Sequence, residues 1–383
     1  MAPVPSSIPS SIPSSAFQDI QLLPSLPPEL ILEIVSCVVE PSSKPTNNGP
    51  YGDCMSFSSR MKTLTNLSLT TPSLRALILS SPTFWSQIEI KIIKDSACSP
   101  PLPFLNELFA RSREVKMSVR VVHWGEEHED FNQGKGWEWI PGATREVRKL
   151  LERNEHRIEK LCFEFHHLNG TEYTSRGGVK GSRWQSLRHL EMYASDWAHV
   201  HSMQMDWMES VLAEASPETV IVRGSGAFGW SVLGKDMCRM KRLRIETEVP
   251  EILAVRIVSR TPALEDCNFG KIIQVSQVGS QSRSGPSGGI ELSALRRLHV
   301  GSMRGVGPFL NMIATPRLRD LEVDFVETKK ARWDQEVFAR FIDRSGLGSR
   351  LRKLVVRRGA MSQASLRECE EMFSPKISVD LVS

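Results

Sequence analysis

The residues whose spacing comes nearest to a chemical fingerprint are the glycines of Gly224-Ser225-Gly226-Ala227-Phe228-Gly229, directly after the apolar Val220-Ile221-Val222. A G-x-G-x-x-G turn that opens a helix lets backbone N–H groups approach a pyrophosphate. Glu246, at the end of Leu243-Arg244-Ile245, stands close to where a dinucleotide fold places the acid that holds its ribose. The chemistry implied is hydride transfer with a nicotinamide dinucleotide. Two features argue otherwise: the glycines lie in mid-chain, and no nucleophile or general base accompanies them. An enzyme is therefore the last of the readings, and no catalytic or cofactor-binding residue is assigned.

Metal and nucleic-acid chemistry are also unsupported. Six of the nine histidines fall between His156 and His201, including His166-His167 and His199-x-His201 near Cys162. Zinc wants four ligands in closely spaced pairs, and no such pairing occurs, so no metal is expected. The seven cysteines, at 37, 54, 98, 162, 238, 267 and 369, are odd in number and form no Cys-x-x-Cys, which points to reduced thiols in the cytoplasm or nucleus. Arg350, Arg352, Lys353, Arg357 and Arg358 make a basic run, but they alternate with Leu351, Leu354, Val355 and Val356 as on a charged strand face. With 48 basic against 44 acidic residues the net charge is only +4, too little for a general phosphate binder, so no nucleic-acid partner is expected.

The elements that carry these residues belong to an ordinary globular chain of 383 residues, 40% hydrophobic and 24% charged, long enough for two or three domains. No run of eighteen apolar residues occurs, so no membrane partner is expected. Residues 1–23, with their Ser-Ser-Ile-Pro repetition and no basic start, read as a disordered tail rather than a secretory signal.

Residues 24–90 have the pattern of a small helical unit. Leu26-Pro27-Pro28-Glu29-Leu30 puts proline where a helix begins, at no hydrogen-bonding cost. Leu30, Ile31, Ile34, Val35 and Val38 then recur with helical spacing. A Pro/Ser/Asn/Gly-rich stretch, residues 40–59, reads as a flexible loop. A second helix runs from Met61 to Leu69 with Leu64 and Leu67, and a third from Ser73 to Leu79 with Leu74 and Leu77, ahead of Ser81-Pro82-Thr83-Phe84-Trp85. This succession resembles an F-box, particularly the fungal F-box-like type. The resemblance implies docking on the Skp-type adaptor of a cullin-RING ubiquitin ligase through Leu26, Pro27, Pro28, Leu30, Ile31, Ile34, Leu64, Leu67, Leu74, Leu77, Phe84 and Trp85. The link between the first two helices is longer than is usual for the family, and Thr70-Thr71-Pro72 stands where an Arg-Trp commonly ends the second helix.

Residues 91–157 are transitional, with strand-like alternation at 87–93 and 115–122, a helix at 102–111 and an amphipathic helix at 145–157, elements that could add the first one or two turns of the repeat stack described next. From Ile158 to the end of the chain one phrase returns eight times: apolar, two variable residues, apolar, one variable, apolar. It reads Ile158-Leu161-Phe163, Leu187-Leu190-Met192, Pro217-Val220-Val222, Met240-Leu243-Ile245, Leu264-Cys267-Phe269, Leu295-Leu298-Val300, Leu318-Leu321-Val323 and Leu351-Leu354-Val356. Helical stripes at 203–215, 251–259, 308–314 and 333–344 lie between phrases, and Ser216-Pro217, Thr261-Pro262 and Thr315-Pro316 end three of them. Residues 276–289, rich in Ser and Gly, are a flexible insertion.

The phrase resembles the degenerate leucine-rich repeats found behind fungal F-boxes. The expected fold class is therefore α/β: a small helical F-box-like domain followed by an irregular leucine-rich-repeat solenoid over 158–383, with parallel strands on the concave face and helices on the convex face. Outward positions of the strands would then include Arg223, Arg242, Arg244, Arg297 and His299, placed to hold a protein substrate through an acidic or phosphorylated segment. The expected function is that of a substrate-recognition subunit of an SCF-type ligase, bound to a Skp-type adaptor and its cullin. The alternative is a repeat scaffold that binds a protein partner without a ligase.

Overall fold

Two columns of apolar side chains cross a twelve-stranded sheet from one side to the other. The sheet order is β14-β13-β12-β10-β8-β7-β6-β5-β4-β3-β1-β2, and every adjacent pair is parallel except β1 with β2. The strands are β1 (Gln87–Lys94), β2 (Ala97–Ser99), β3 (Met117–Trp124), β4 (Ile158–His166), β5 (His189–Ala194), β6 (Thr219–Gly224), β7 (Arg242–Pro250), β8 (Asp266–Ile273), β10 (Arg297–Ser302), β12 (Asp320–Phe325), β13 (Lys353–Arg357) and β14 (Ser378–Val382). A separate short pair joins β9 (Ile290–Glu291) to β11 (Ile313–Ala314). The computed structural model describes residues 26–39, 57–94, 97–124, 142–166, 184–194, 211, 214–224, 237–273, 289–302, 305–325, 333–348, 350–357, 367, 371 and 378–382.

The phrase explains the columns. Its fourth residue pairs with the fourth residue of the next phrase, Leu161 with Leu190, Val220, Leu243, Cys267, Leu298, Leu321 and Leu354 in turn. Ile88 and Val119 extend that column at one end, and Val379 extends it at the other. The sixth residues, from Phe163 through Ile245 to Val356, form the second column in the same way. Both columns are buried from β1 to β13. Alternate residues of a strand face opposite sides, so the third, fifth and seventh residues lie on the other face, where most stay partly exposed.

Helices cover the apolar face. Helix Glu251–Ser259 contacts β7 and β8, and the Phe309 ring of helix Gly307–Met312 meets Phe269 edge-on at 5.7 Å. From β3 onward each strand of this sheet lies beside the next one in the chain, so the chain advances in one direction; among the described strands the one reversal is at β1, which has β2 on one side and β3 on the other.

Turns recur as regularly as strands. Leu187 N–H donates to Trp184 O, Met240 to Met237 O, Leu264 to Thr261 O and Leu318 to Thr315 O, each at 3.1 Å. The Thr261 hydroxyl also donates back to Ile257 O, closing the helix as Pro262 prevents its continuation. Arginines from later in the chain satisfy other helix ends. Arg157, buried, donates to Phe109 O, Arg113 O and the Ser112 hydroxyl at the end of helix Leu102–Arg111. Arg344 reaches the carbonyls of Leu310 and Ile313 after helix Gly307–Met312.

The structure differs from expectation in a few places. The stripe expected to be helical over 308–314 divides into helix Gly307–Met312 and β11, because Pro316 holds the chain before it extended and β9 offers an edge to pair with. The amphipathic helix expected over 145–157 occupies Gly142–Arg153, followed by a 3-10 turn at Glu155–Arg157. Strand β3, in the segment that could hold first repeats, pairs in register with β1 and β4, while β14 adds a strand that the phrase did not announce. The insertion at 276–288, the tail 1–23 and most of the stripe at 203–215 lie outside the described residues.

The N-terminal unit ends at Trp85. It contains α1 (Pro28–Val39), α2 (Phe57–Ser68), α3 (Pro72–Ser80) and a 3-10 turn, Pro82–Trp85. Thr71 caps α3 by accepting the Leu74 N–H at 3.1 Å, and the Trp85 indole donates to Ile78 O at 3.1 Å. The buried Arg60 guanidinium donates to Phe84 O. Helix α2 starts four residues earlier than its apolar spacing suggests, at Phe57, and most of the loop expected over 40–59 lies outside the described residues.

Candidate functional site

Helix α1 presents two apolar stripes set about 100° apart. Val35 and Val39 are buried and Ile31 is half-buried. Leu30, Ile34 and Val38, one helical turn apart, are 46%, 48% and 53% exposed. At 1.5 Å per residue these three span about 12 Å of helix. Pro27 and Pro28 extend the stripe at its start, while Glu29 and Glu33 give it an acidic border. Scattered exposed aliphatics are normal on a protein surface, but three aligned on one face of a short helix make a candidate contact surface.

Of the twelve residues expected on the adaptor side, Pro27, Pro28, Leu30 and Ile34 are exposed, and Leu26, Ile31, Leu67 and Leu77 are half-buried. Leu64, Leu74, Phe84 and Trp85 are buried. Their side chains are already taken out of water and have little surface to offer a partner. Val38, which the family pattern did not single out, completes the exposed stripe, and Leu69 is exposed at the end of α2.

A second surface is the polar face of the sheet. Arg120 on β3 bridges Glu89 on β1, at 3.3 Å, and Glu164 on β4, both carboxylates being buried. Lys91 adds a contact to Glu89 at 3.4 Å. Beside them burial and the Glu191 carboxylate push the Cys162 thiol up to about 12, which leaves it protonated and a poor nucleophile. Glu191 lies 3.7 Å from His189 and 3.3 Å from Arg223, and these neighbours, His189 first, hold its carboxyl below the usual glutamate range.

The arginines expected to hold a substrate are largely engaged with carboxylates of this chain. Arg223 sits between Glu191 and Glu246, Arg244 meets Glu246 at 2.6 Å, and Arg297 meets Asp266 at 2.7 Å. His299 stands 3.9 Å from Glu322, which Arg357 also contacts. Arg242 is exposed and makes no ion pair among the described residues. The structure therefore brings the five together on one face, as adjacent strands require, but balances their charge. The pairs made by the exposed Arg244 and Arg297 contribute about 0–1 kcal/mol each, so a partner can exchange these two at small cost. A face of alternating sign suits a partner of alternating sign better than a wholly acidic one.

Burial lowers the affinity of His299 for a proton, with Glu322 and Asp324 opposing and Arg357 and Arg244 reinforcing that shift. A histidine whose folded pKa is depressed gives stability that is present above its ordinary value near 6.5 and is lost as pH falls below it. The depressed Glu191 contributes in the same sense at lower pH, below the ordinary glutamate value of 4.5. We expect the melting temperature to fall between pH 7 and pH 5, and His299→Asn to flatten that part of the profile while leaving the loss below pH 4.5.

Other candidate chemistry is thin. Gly224 ends β6 with φ 131°, and the remaining glycines of the fingerprint lie outside the described residues. Dinucleotides bind at the point where the strand order of a doubly wound sheet reverses, and the order does not reverse at β6, which lies between β5 and β7. Among the described residues no three His, Cys, Asp or Glu are gathered as a metal site. His167, His199 and His201 fall outside those residues. An apolar cleft of about 210 Å³ between Val306, Pro308, Phe325, Trp333 and Phe338 holds one carboxylate, Asp334, which caps its own helix by accepting the Val337 N–H at 3.1 Å.

No family model and no curated protein matches this chain. No described helix is long and apolar enough to cross a membrane.

Proposed function

We propose that this protein is the substrate-recognition subunit of an SCF-type cullin-RING ubiquitin ligase. In this reading α1 docks on a Skp-type adaptor, and the sheet is an irregular leucine-rich-repeat solenoid whose polar strand face receives a protein substrate. The observation that carries it is the exposed stripe Leu30-Ile34-Val38 behind a proline start, in a unit otherwise folded on its own buried leucines. The one-directional strand order from β4 to β14 and the repeat spacing of 23 to 33 residues support the solenoid half of the reading. Such a subunit performs no bond chemistry. It raises the local concentration of substrate near the rest of the ligase by holding both.

A second reading, a repeat scaffold that binds its partner without a ligase, is favoured by the burial of Leu64, Leu74, Phe84 and Trp85, which leaves a narrow apolar strip for an adaptor. Co-purification separates the two. Tagged full-length chain expressed in cells should bring down a Skp-type adaptor and a cullin under the first reading. Recovery of protein partners without either would favour the second.

A further inference from the structure

The second residue of each phrase, just ahead of its strand except for Glu159 at the start of β4, forms a line along one edge of the sheet. Backbone hydrogen bonds of 2.7–2.9 Å link these residues' neighbourhoods in turn: Arg188 N–H to Glu159 O, Lys241 to Glu218 O, Glu265 to Lys241 O, Arg296 to Glu265 O, Arg319 to Arg296 O and Arg352 to Arg319 O. The side chains pair across at first. Arg188 lies 3.6 Å from Glu159 and 3.0 Å from Glu218, and Lys241 lies 3.1 Å from Glu218. The signs alternate through Glu159, Arg188, Glu218, Lys241, Glu265 and Arg296, and then the alternation stops with Arg319 and Arg352.

Two more arginines join them. The Arg350 guanidinium donates to Pro316 O at 2.8 Å, which sets it beside the turn carrying Arg317. Arg296, Arg317, Arg319, Arg350 and Arg352 are all exposed, and among the described residues none forms an ion pair. Neighbouring strands lie about 4.8 Å apart, so Arg296, Arg319 and Arg352 set three like charges within about 10 Å, an arrangement that opposes folding until an anion covers it.

We propose that this edge is a docking site for an acidic polypeptide segment. It is separate from the polar strand face, whose arginines are mostly neutralised, and does not depend on the ligase reading. Guanidinium forks match carboxylates in a way that lysines do not. Among the described residues the exposed large hydrophobics are Leu30, Ile34, Val38, Leu69, Phe104 and Ile252, none of them in this patch. The patch thus lacks the aromatic platform of a single-strand binder and the apolar wedge of a membrane binder.

The test is fluorescence anisotropy with the full chain and a labelled decaglutamate peptide, beside decathymidylate and phosphatidylserine vesicles. The peptide should bind, more weakly as salt rises, and Arg319→Ser with Arg352→Ser should weaken it at least tenfold without lowering the melting temperature. Arg256→Ser, on an exposed helix surface, should change nothing. Peptide affinity untouched by the double substitution, no peptide binding at all, or preference for the oligonucleotide or the vesicles would each overturn the proposal.

Discussion

Replacing Ile34 with Asp should weaken capture of a Skp-type adaptor by roughly thirty- to a hundredfold and leave the melting temperature within about a degree of wild type. The size follows from a contact residue worth about 2–3 kcal/mol when a charge is forced into a desolvated apolar interface. Stability is spared because Ile34 is half-exposed already, and surface changes away from special features cost about 0.5 kcal/mol or less. Val35 is the internal comparison. It is the next residue on the same helix but is buried, so Val35→Asp should unfold the N-terminal unit rather than strip it of a partner. Equal loss of capture from both, with both melting early, would mean that the Ile34 stripe has only a structural role. Titration with purified adaptor and thermal melting of the same samples provide both measurements.

The largest effect on stability is expected at Gly301. A Cβ built there would stand 1.8 Å from Gly270 O and 2.7 Å from its carbonyl carbon, so backbone has to move. Gly270 is itself close to β7, its own Cβ position lying 3.0 Å from the Glu246 Cα. The pairing register shifts at both places, between Ile245 and Glu248 and between Val300 and Ser302, so the two glycines let three strands approach where the ladder is irregular. Gly301→Ala should destabilise the sheet unit by about 3 kcal/mol. Chemical denaturation that shows less than about 1 kcal/mol would mean that this end of the sheet yields more easily than its packing indicates. Gly348, which has open space around its Cβ position, should accept alanine without such a loss.

The strands were readable in the sequence because the signal is local. Leu-x-x-Leu-x-Leu reports which residues of one strand face inward, and each of the eight phrases entered the sheet with Leu161 and its counterparts in one column. What lies between strands was hidden for a corresponding reason. Arg120 with Glu89 and Glu164, or Arg319 beside Arg352, are neighbours only once register is known, and the residues concerned are 31 to 44 positions apart or on separate phrases. Nothing in the sequence around Arg157 marks it as the side chain that closes the end of helix Leu102–Arg111. In the N-terminal unit the apolar residues of α1 cover more than one face, so spacing showed an amphipathic helix but could not say that Val35 turns inward while Ile34 turns out. Partner positions carried over by resemblance, such as Leu64 and Trp85, met the same limit.

Hydrogen exchange of the full chain with and without purified Skp-type adaptor separates adaptor docking through α1 from every other arrangement. Exchange should slow over residues 27–39, an effect lost in Ile34→Asp, with the amides of β4 to β13 unchanged. Absence of protection in α1 at saturating adaptor, or protection confined to the sheet, would contradict docking through α1.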